Sequence, residues 1–261
     1  MSQKERSPLE ALRARKEQVR MGGGQARIDR QHGKGKKTAR ERIAMLLDSD
    51  SFQELQPFTA AHPEDEDSIR GDGVVTGYGR IDGRTVFLYA QDFTVYGGSV
   101  SLAHARKIVQ VQQMALRNGA PIVGLLDSGG ARIQEGVMAL QGYGEVFRMN
   151  ALASGVVPQI SVILGPCAGG ASYSPALTDF VVMTDQSSMM FITGPDVVKS
   201  VTGEEIDHEG LGGARVHAAT SGVAHFVGKD EAHSLELVRQ LLSYLPSSNV
   251  ESAPMVEPTD D

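Results

Sequence analysis

Two glycine-rich segments carry the chemistry that this chain can do with its backbone. The first is Asp127-Ser128-Gly129-Gly130-Ala131-Arg132-Ile133-Gln134-Glu135-Gly136, after the apolar run 121–126. The second is Gly165-Pro166-Cys167-Ala168-Gly169-Gly170-Ala171-Ser172-Tyr173, after the apolar run 159–164. Each reads as strand, glycine turn, helix, and each turn can aim bare N–H groups at one point. Two such donors form an oxyanion hole for an enolate or a tetrahedral intermediate. Helix N-termini supply unpaired N–H groups and a favourable dipole, and glycine lets a substrate oxygen approach closely. An isolated Gly129-Gly130 pair would merely permit a tight turn. The matching second turn favours the functional reading.

The elements that must hold these turns read as α/β. Segment 8–21 reads as a charged helix ended by Gly22-Gly23-Gly24, and 25–31 as a short second helix. A third helix starts after Thr38, with Glu41 placed for a reciprocal capping box, and ends near Leu47. Residues 61–68 form an acidic loop. Strands 74–78 and 85–92 flank the turn 81–84, and helix 101–117 follows with one broad apolar face. Strands 121–126, 159–164, 180–183 and 189–192 then alternate with helices 136–154 and 172–177, a grammar of strands feeding helices. A last helix spans 230–245. The organisation expected is a basic helical arm (1–48), one domain (49–245) and an acidic Pro/Ser linker (246–261).

Composition narrows the classes. No apolar run reaches the roughly 20 residues of a membrane span, so no membrane association is expected. The lone Cys167 excludes an internal disulfide and a Cys-rich zinc ribbon, and fits a cytosol or organelle matrix. The net charge of −7 argues against nucleic-acid binding. That charge is uneven: residues 1–45 hold 13 Lys/Arg against 5 Asp/Glu, and the rest 12 against 27. The basic arm either packs on its own acidic body or forms an anion site for a phosphorylated ligand. Lys34, Lys36, Lys37, Arg40 and Arg42 are its candidate contacts. Arg132 either pairs with Glu135 across a helix start or assists ligand binding. Cys167 reads as a buried core residue rather than a nucleophile. The histidines lack metal-ligand spacing, and no metal site is expected.

Residues 18–245 resemble the N-terminal half of biotin-dependent acyl-CoA carboxyltransferase β subunits of the propionyl-CoA carboxylase type. The resemblance rests on Arg20-Met21-Gly22-Gly23-Gly24 with Gln31-His32, Thr38-Ala39-Arg40-Glu41-Arg42-Ile43, and Asp92-Phe93-Thr94-Val95-Tyr96-Gly97-Gly98-Ser99. It extends through both glycine segments to Asp179, Phe191-Ile192-Thr193-Gly194-Pro195-Asp196 and Val201-Thr202-Gly203-Glu204-Glu205. Lys37 departs from it, because the family usually has Leu there. The resemblance implies a crotonase-like fold, a spiral of ββα units. It implies that a carboxyl group moves between carboxybiotin, carried on a partner protein, and the α-carbon of a short-chain acyl-CoA, with no covalently bound cofactor on this chain.

Carried over by motif, the enolate donors are the amides of Ala131 or Gly130 and of Gly170 or Gly169. Tyr173 stands where a hydratase of the wider superfamily would place a glutamate, which disfavours hydratase chemistry. The family also has a second crotonase-like domain, whose own oxyanion hole serves biotin; this chain shows no counterpart. The implied partners are that C-terminal half, a biotin carboxyl carrier and a biotin carboxylase subunit, in an oligomer. A biotin-dependent decarboxylase or transcarboxylase subunit shares these motifs. A non-catalytic acyl-CoA-binding or assembly module is the reading from a different class.

Overall fold

The computed structural model describes residues 7–62, 64–65 and 68–255. Part of the acidic loop expected at 61–68, and the end of the expected linker, lie outside the described residues. Three helices open the chain: α1 (Pro8–Arg20), α2 (Gln25–His32) and α3 (Ala39–Leu46). Thr38 caps α3 through the expected box, its hydroxyl accepting from the Glu41 amide while the Glu41 carboxylate accepts from the Thr38 amide.

One sheet follows, with β1 (Gln53–Leu55), β2 (Val74–Ile81) and β3 (Arg84–Gln91) antiparallel. Helix α4 (Leu102–Asn118) crosses to β4 (Ile122–Ser128), α5 (Val137–Ala153) to β5 (Gln159–Ala168), and α6 (Gly170–Ala176) to β6 (Phe180–Thr184). From β3 onward the pairing is parallel. Strand β7 (Met189–Phe191) pairs with the far end of β5. Short helices α7 (Pro195–Thr202), α8 (His208–Gly212) and α9 (Ala214–Val216) lead to β8 (Phe226–Gly228), which pairs with β6, and then α10 (Glu231–Tyr244). The order across the sheet is β1-β2-β3-β4-β5-β6-β8.

Both faces of the sheet are covered, as parallel strands require. Alternation along β3 sends Phe87 and Tyr89 to the face packed by α4 and α5, and Val86, Leu88 and Ala90 to the opposite face. That second face is covered by Ile43 and Leu46 of α3 and by Leu235, Val238 and Leu242 of α10. The basic arm therefore contributes a core helix. The residues after α10 are tied to the body too: the Asn249 amide donates to the Val156 carbonyl at 2.9 Å, and Ser248 is buried. Among the described residues no helix is long and apolar enough to cross a membrane, and no group of three His, Cys, Asp or Glu could hold a metal ion.

The main departure from the sequence expectation lies at β5. The strand continues to Ala168, four residues beyond the expected end at Leu164. Gly165 is a strand residue: a Cβ there would sit 2.0 Å from Asp127 Oδ1. Helix α5 starts at Val137, separated from the first glycine turn by a short 3-10 turn, Ile133–Glu135. Only the second glycine turn runs directly into a helix.

Candidate active site

The two glycine turns sit side by side because β4 and β5 are parallel neighbours, with Ser128 registered against Cys167. The carboxyl ends of adjacent parallel strands are where open α/β sheets bind ligands. Contact between the turns is close. Gly130 has φ 97°, and a Cβ there would lie 2.6 Å from the Ala168 carbonyl oxygen. Only glycine fits both the backbone and the gap.

In the first turn, most backbone groups are committed. The Gly129 amide donates to Gly97 O at 2.9 Å and the Gly130 amide to Ser128 Oγ at 3.1 Å. Val100 N donates to Gly130 O at 2.9 Å, and Arg132 N to Val100 O at 3.0 Å. These two bonds bracket Ala131. Its own N–H has no hydrogen-bond partner among the described residues, and the residue is part-exposed. In the second turn, Gly169 N donates to Phe191 O at 3.0 Å and Gly169 O accepts from Ser172 N at 2.9 Å. Gly170 opens α6, so its N–H has no turn above it to bond. It too lacks a partner among the described residues. Of the four amides singled out in the sequence, Gly130 and Gly169 build the turns, whereas Ala131 and Gly170 are left with open donors.

A buried charge cluster supports the strand ends from behind. Asp127, the penultimate residue of β4, is fully buried. Its carboxylate accepts from Lys36 Nζ at 2.8 Å, Arg42 Nη1 at 2.9 Å and Gln31 Nε2 at 3.1 Å. Arg42 also grips Glu231 of α10 through Nε at 3.0 Å and Nη2 at 2.6 Å, and donates to Leu164 O at 3.2 Å. Burial pulls the Lys36 ammonium below its ordinary range, against the opposing pull of Asp127. Burial acts the same way on Arg42, but Glu231 and Asp127 outweigh it and raise that group. Two cations and two anions thus neutralise one another, as buried charges must.

This geometry redistributes the expected anion contacts. Lys36 and Arg42 are inside that cluster, and Arg40 makes a two-pronged pair with Glu54 at 2.7 and 2.8 Å. Arg132 is buried against Asp72 at 2.6 Å and Glu135 at 3.3 Å. Lys36 and Arg40 are therefore engaged by carboxylates rather than open to a ligand, because Asp127 and Glu54 reach them in the fold. Arg132 pairs with Glu135, as its spacing allowed, and with Asp72, and it also lines a cavity of about 830 Å³ with Tyr96, Ser99 and Arg106. Lys34 is different. It lines a pocket of about 260 Å³ with Arg27, Arg30, Gln31, Phe93, Thr94, Tyr96 and Gly97. Arg30 and Lys34 make no ion pair among the described residues. Arg27 and Arg30 were missed in the sequence; their spacing along α2 toward Lys34 was the available signal.

Residues 30–261 match the model of the carboxyl transferase domain. The chain belongs to the carboxyl transferase domain family. The methylmalonyl-CoA decarboxylase subunit alpha of Veillonella parvula is 56% identical over 97% of this chain and 50% of its own length. The propionyl-CoA carboxylase carboxyltransferase subunit of Haloferax mediterranei gives the same figures. The chain spans about half the length of the curated relatives it matches. Among solved structures, a transcarboxylase 12S hexamer with hydrolysed methylmalonyl-coenzyme A bound superposes with a TM-score of 0.92 at 49% identity, over 97% of this chain and 51% of that one. The fold is crotonase-like, as the sequence resemblance implied.

Within that carboxyl transferase fold Cys167 is excluded as a nucleophile: it is fully buried, and burial pushes its thiol far up. His104 is also fully buried, its Nδ1 on the Asp72 carbonyl at 2.9 Å. Burial first, then Arg132 and Lys107, hold its imidazole well below the ordinary range. The Tyr143 ring packs against Gly170, and burial raises its phenol above the ordinary range.

Proposed function

We propose that this chain is the acyl-CoA-binding half of a biotin-dependent carboxyltransferase acting on propionyl-CoA or acetyl-CoA. The carrying observation is the pair of unpartnered amides, Ala131 and Gly170, on abutting turns at neighbouring strand ends. A thioester oxygen between them would gain two fixed donors as negative charge develops on the enolate, the point at which such donors matter most. Donors built into the backbone need no reorganisation when the charge appears. The half-exposed pocket of Arg27, Arg30 and Lys34 suits the CoA phosphates, and it opens beside the loop whose Gly97 carbonyl holds the first turn.

Carboxybiotin, when delivered by a partner protein, supplies the carboxyl group and the base. The two abutting glycine turns present one pair of matched open amides, those of Ala131 and Gly170, enough for the acyl-CoA oxygen alone. The partners are therefore a second carboxyltransferase half, a biotin carboxyl carrier and a biotin carboxylase subunit, assembled as an oligomer. Exposed apolar side chains lie beside both turns: Ile133, two residues after Ala131, is 87% exposed, and Ile192, whose carbonyl lies near Gly169, is 62% exposed. A patch of this kind marks an interaction surface, here the one that the second half covers.

A second reading keeps the site and reverses the transfer. Its support is that a decarboxylase subunit and a carboxylase subunit are equally similar, at 56%. Consumption of methylmalonyl-CoA without ATP indicates the decarboxylase; ATP-driven formation indicates the carboxylase. Calorimetry on the chain itself tests the shared claim. Propionyl-CoA binds and free biotin does not. Tight biotin binding without CoA binding leaves no acyl-CoA half-site here and favours a different module.

A further inference from the structure

The Arg132 side chain donates four hydrogen bonds. Nη1 donates to Asp72 Oδ1 at 2.6 Å and Glu135 Oε1 at 3.3 Å; Nη2 donates to Ser99 O at 2.9 Å and Nε to Ser99 Oγ at 3.3 Å. The guanidinium lies 4.7 Å from the centre of the Tyr96 ring. Its backbone N–H meanwhile holds Val100 O, and Val100 N holds Gly130 O. The side chain of Arg132 thus anchors Ser99, and its main chain anchors the next residue, Val100. Ala131 is the residue enclosed by that double grip.

Asp72 is the fixed point behind the arrangement. It is 1% exposed. Its second oxygen accepts from the Ser101 hydroxyl, and its carbonyl accepts from His104 Nδ1 at 2.9 Å. Its backbone is left-handed at φ 49°, between two glycines that also have positive φ. A non-glycine residue there costs free energy, and such positions cluster at functional sites. A buried ion pair contributes little net stability compared with an apolar replacement. What this pair contributes instead is a single orientation, through the planar fork of arginine.

We infer that Asp72, acting through Arg132, is a positioning residue that sets the direction of the Ala131 amide. The inference rests on the oxyanion-hole reading and deepens it. Asp72 is buried, away from solvent, and lies 60 positions before Arg132.

Isotope-edited infrared spectroscopy of propionyl-CoA on the full chain reads the amide directly, because two aligned donors shift the thioester carbonyl to lower frequency. The wild-type chain shows that shift. Asp72→Asn, which keeps the shape and removes the charge, returns the band most of the way to its free position while calorimetric affinity stays unchanged. Arg132→Lys, which keeps a charge and removes the fork, does the same; it decides the matter if circular dichroism shows Asp72→Asn unfolded. In the reconstituted enzyme, kcat falls about 100-fold, the order for an ångström of misplacement, with KM unchanged. A full carbonyl shift in folded variants overturns the positioning role alone. No shift in the wild-type chain removes the hole itself, and the inference with it.

Discussion

A side chain at position 170 would run into the Tyr143 ring, whose nearest carbon lies 2.9 Å from where a Cβ would sit. Gly170 does not have a positive φ, so its glycine is required by space rather than by backbone conformation. Gly170→Val therefore pushes α6 away from α5 and fills the approach to the amide. In the reconstituted enzyme, carboxyl transfer falls about 10²–10³-fold, the loss of one oxyanion donor, and thermal melting records overpacking of about 1–3 kcal/mol. Near-normal turnover by a folded Gly170→Val protein would move the hole elsewhere. Ala131 differs in kind. Its N–H is open because its two neighbours make the bridging bonds to Val100, and no property of an alanine announces that.

At the scale of elements, the charge cluster joins α3, β4 and α10 at one point. Removing Arg42 leaves Asp127 and Glu231 buried without their shared partner. Arg42→Met destabilises the chain by about 3–5 kcal/mol in urea titration. Arg40→Ala, which breaks a part-buried, two-pronged pair with Glu54 nearer the surface, costs less, about 1 kcal/mol. Equal losses would contradict the distinction between buried and surface charge. Buried His104 predicts a pH dependence. Its folded imidazole titrates well below the unfolded value, so acid favours the unfolded chain. Stability is full above about pH 6.5 and falls below it, by up to about 1.4 kcal/mol per pH unit from this group. His104→Gln, which takes up no proton, should flatten that slope; an unchanged slope would mean His104 is not its source.

The same elements show what the sequence could disclose. The capping box at Thr38 and Glu41 and both glycine turns were legible, because each depends on residues a few positions apart. The end of β5 was not. Gly165-Pro166 has turn composition, but Gly165 is required by the Asp127 carboxylate packed against it, a neighbour on another strand. Lys36, Arg40 and Arg42 looked available for phosphate because Asp127, Glu54 and Glu231 reach them only in the fold. Glu231 is 189 positions from Arg42, and no local pattern connects them. Lys34, just past the end of α2, was placed in a basic pocket by the same folding that withdrew its neighbours.

At the scale of the whole molecule, the proposed function makes this chain one half of a two-part site. Transfer needs the acyl α-carbon and the carboxyl donor held within reaction distance, and that orientation supplies much of the rate. The open amides of Ala131 and Gly170 serve one oxygen, and the exposed side chains of Ile133 and Ile192 lie beside their turns. Carboxybiotin-dependent carboxylation of propionyl-CoA, measured for the purified chain alone and with a complementary C-terminal half, tests this most directly. The chain alone shows no turnover, and activity recovers when the second half is added. Turnover by the chain alone, at the rate of the reconstituted pair, would contradict it.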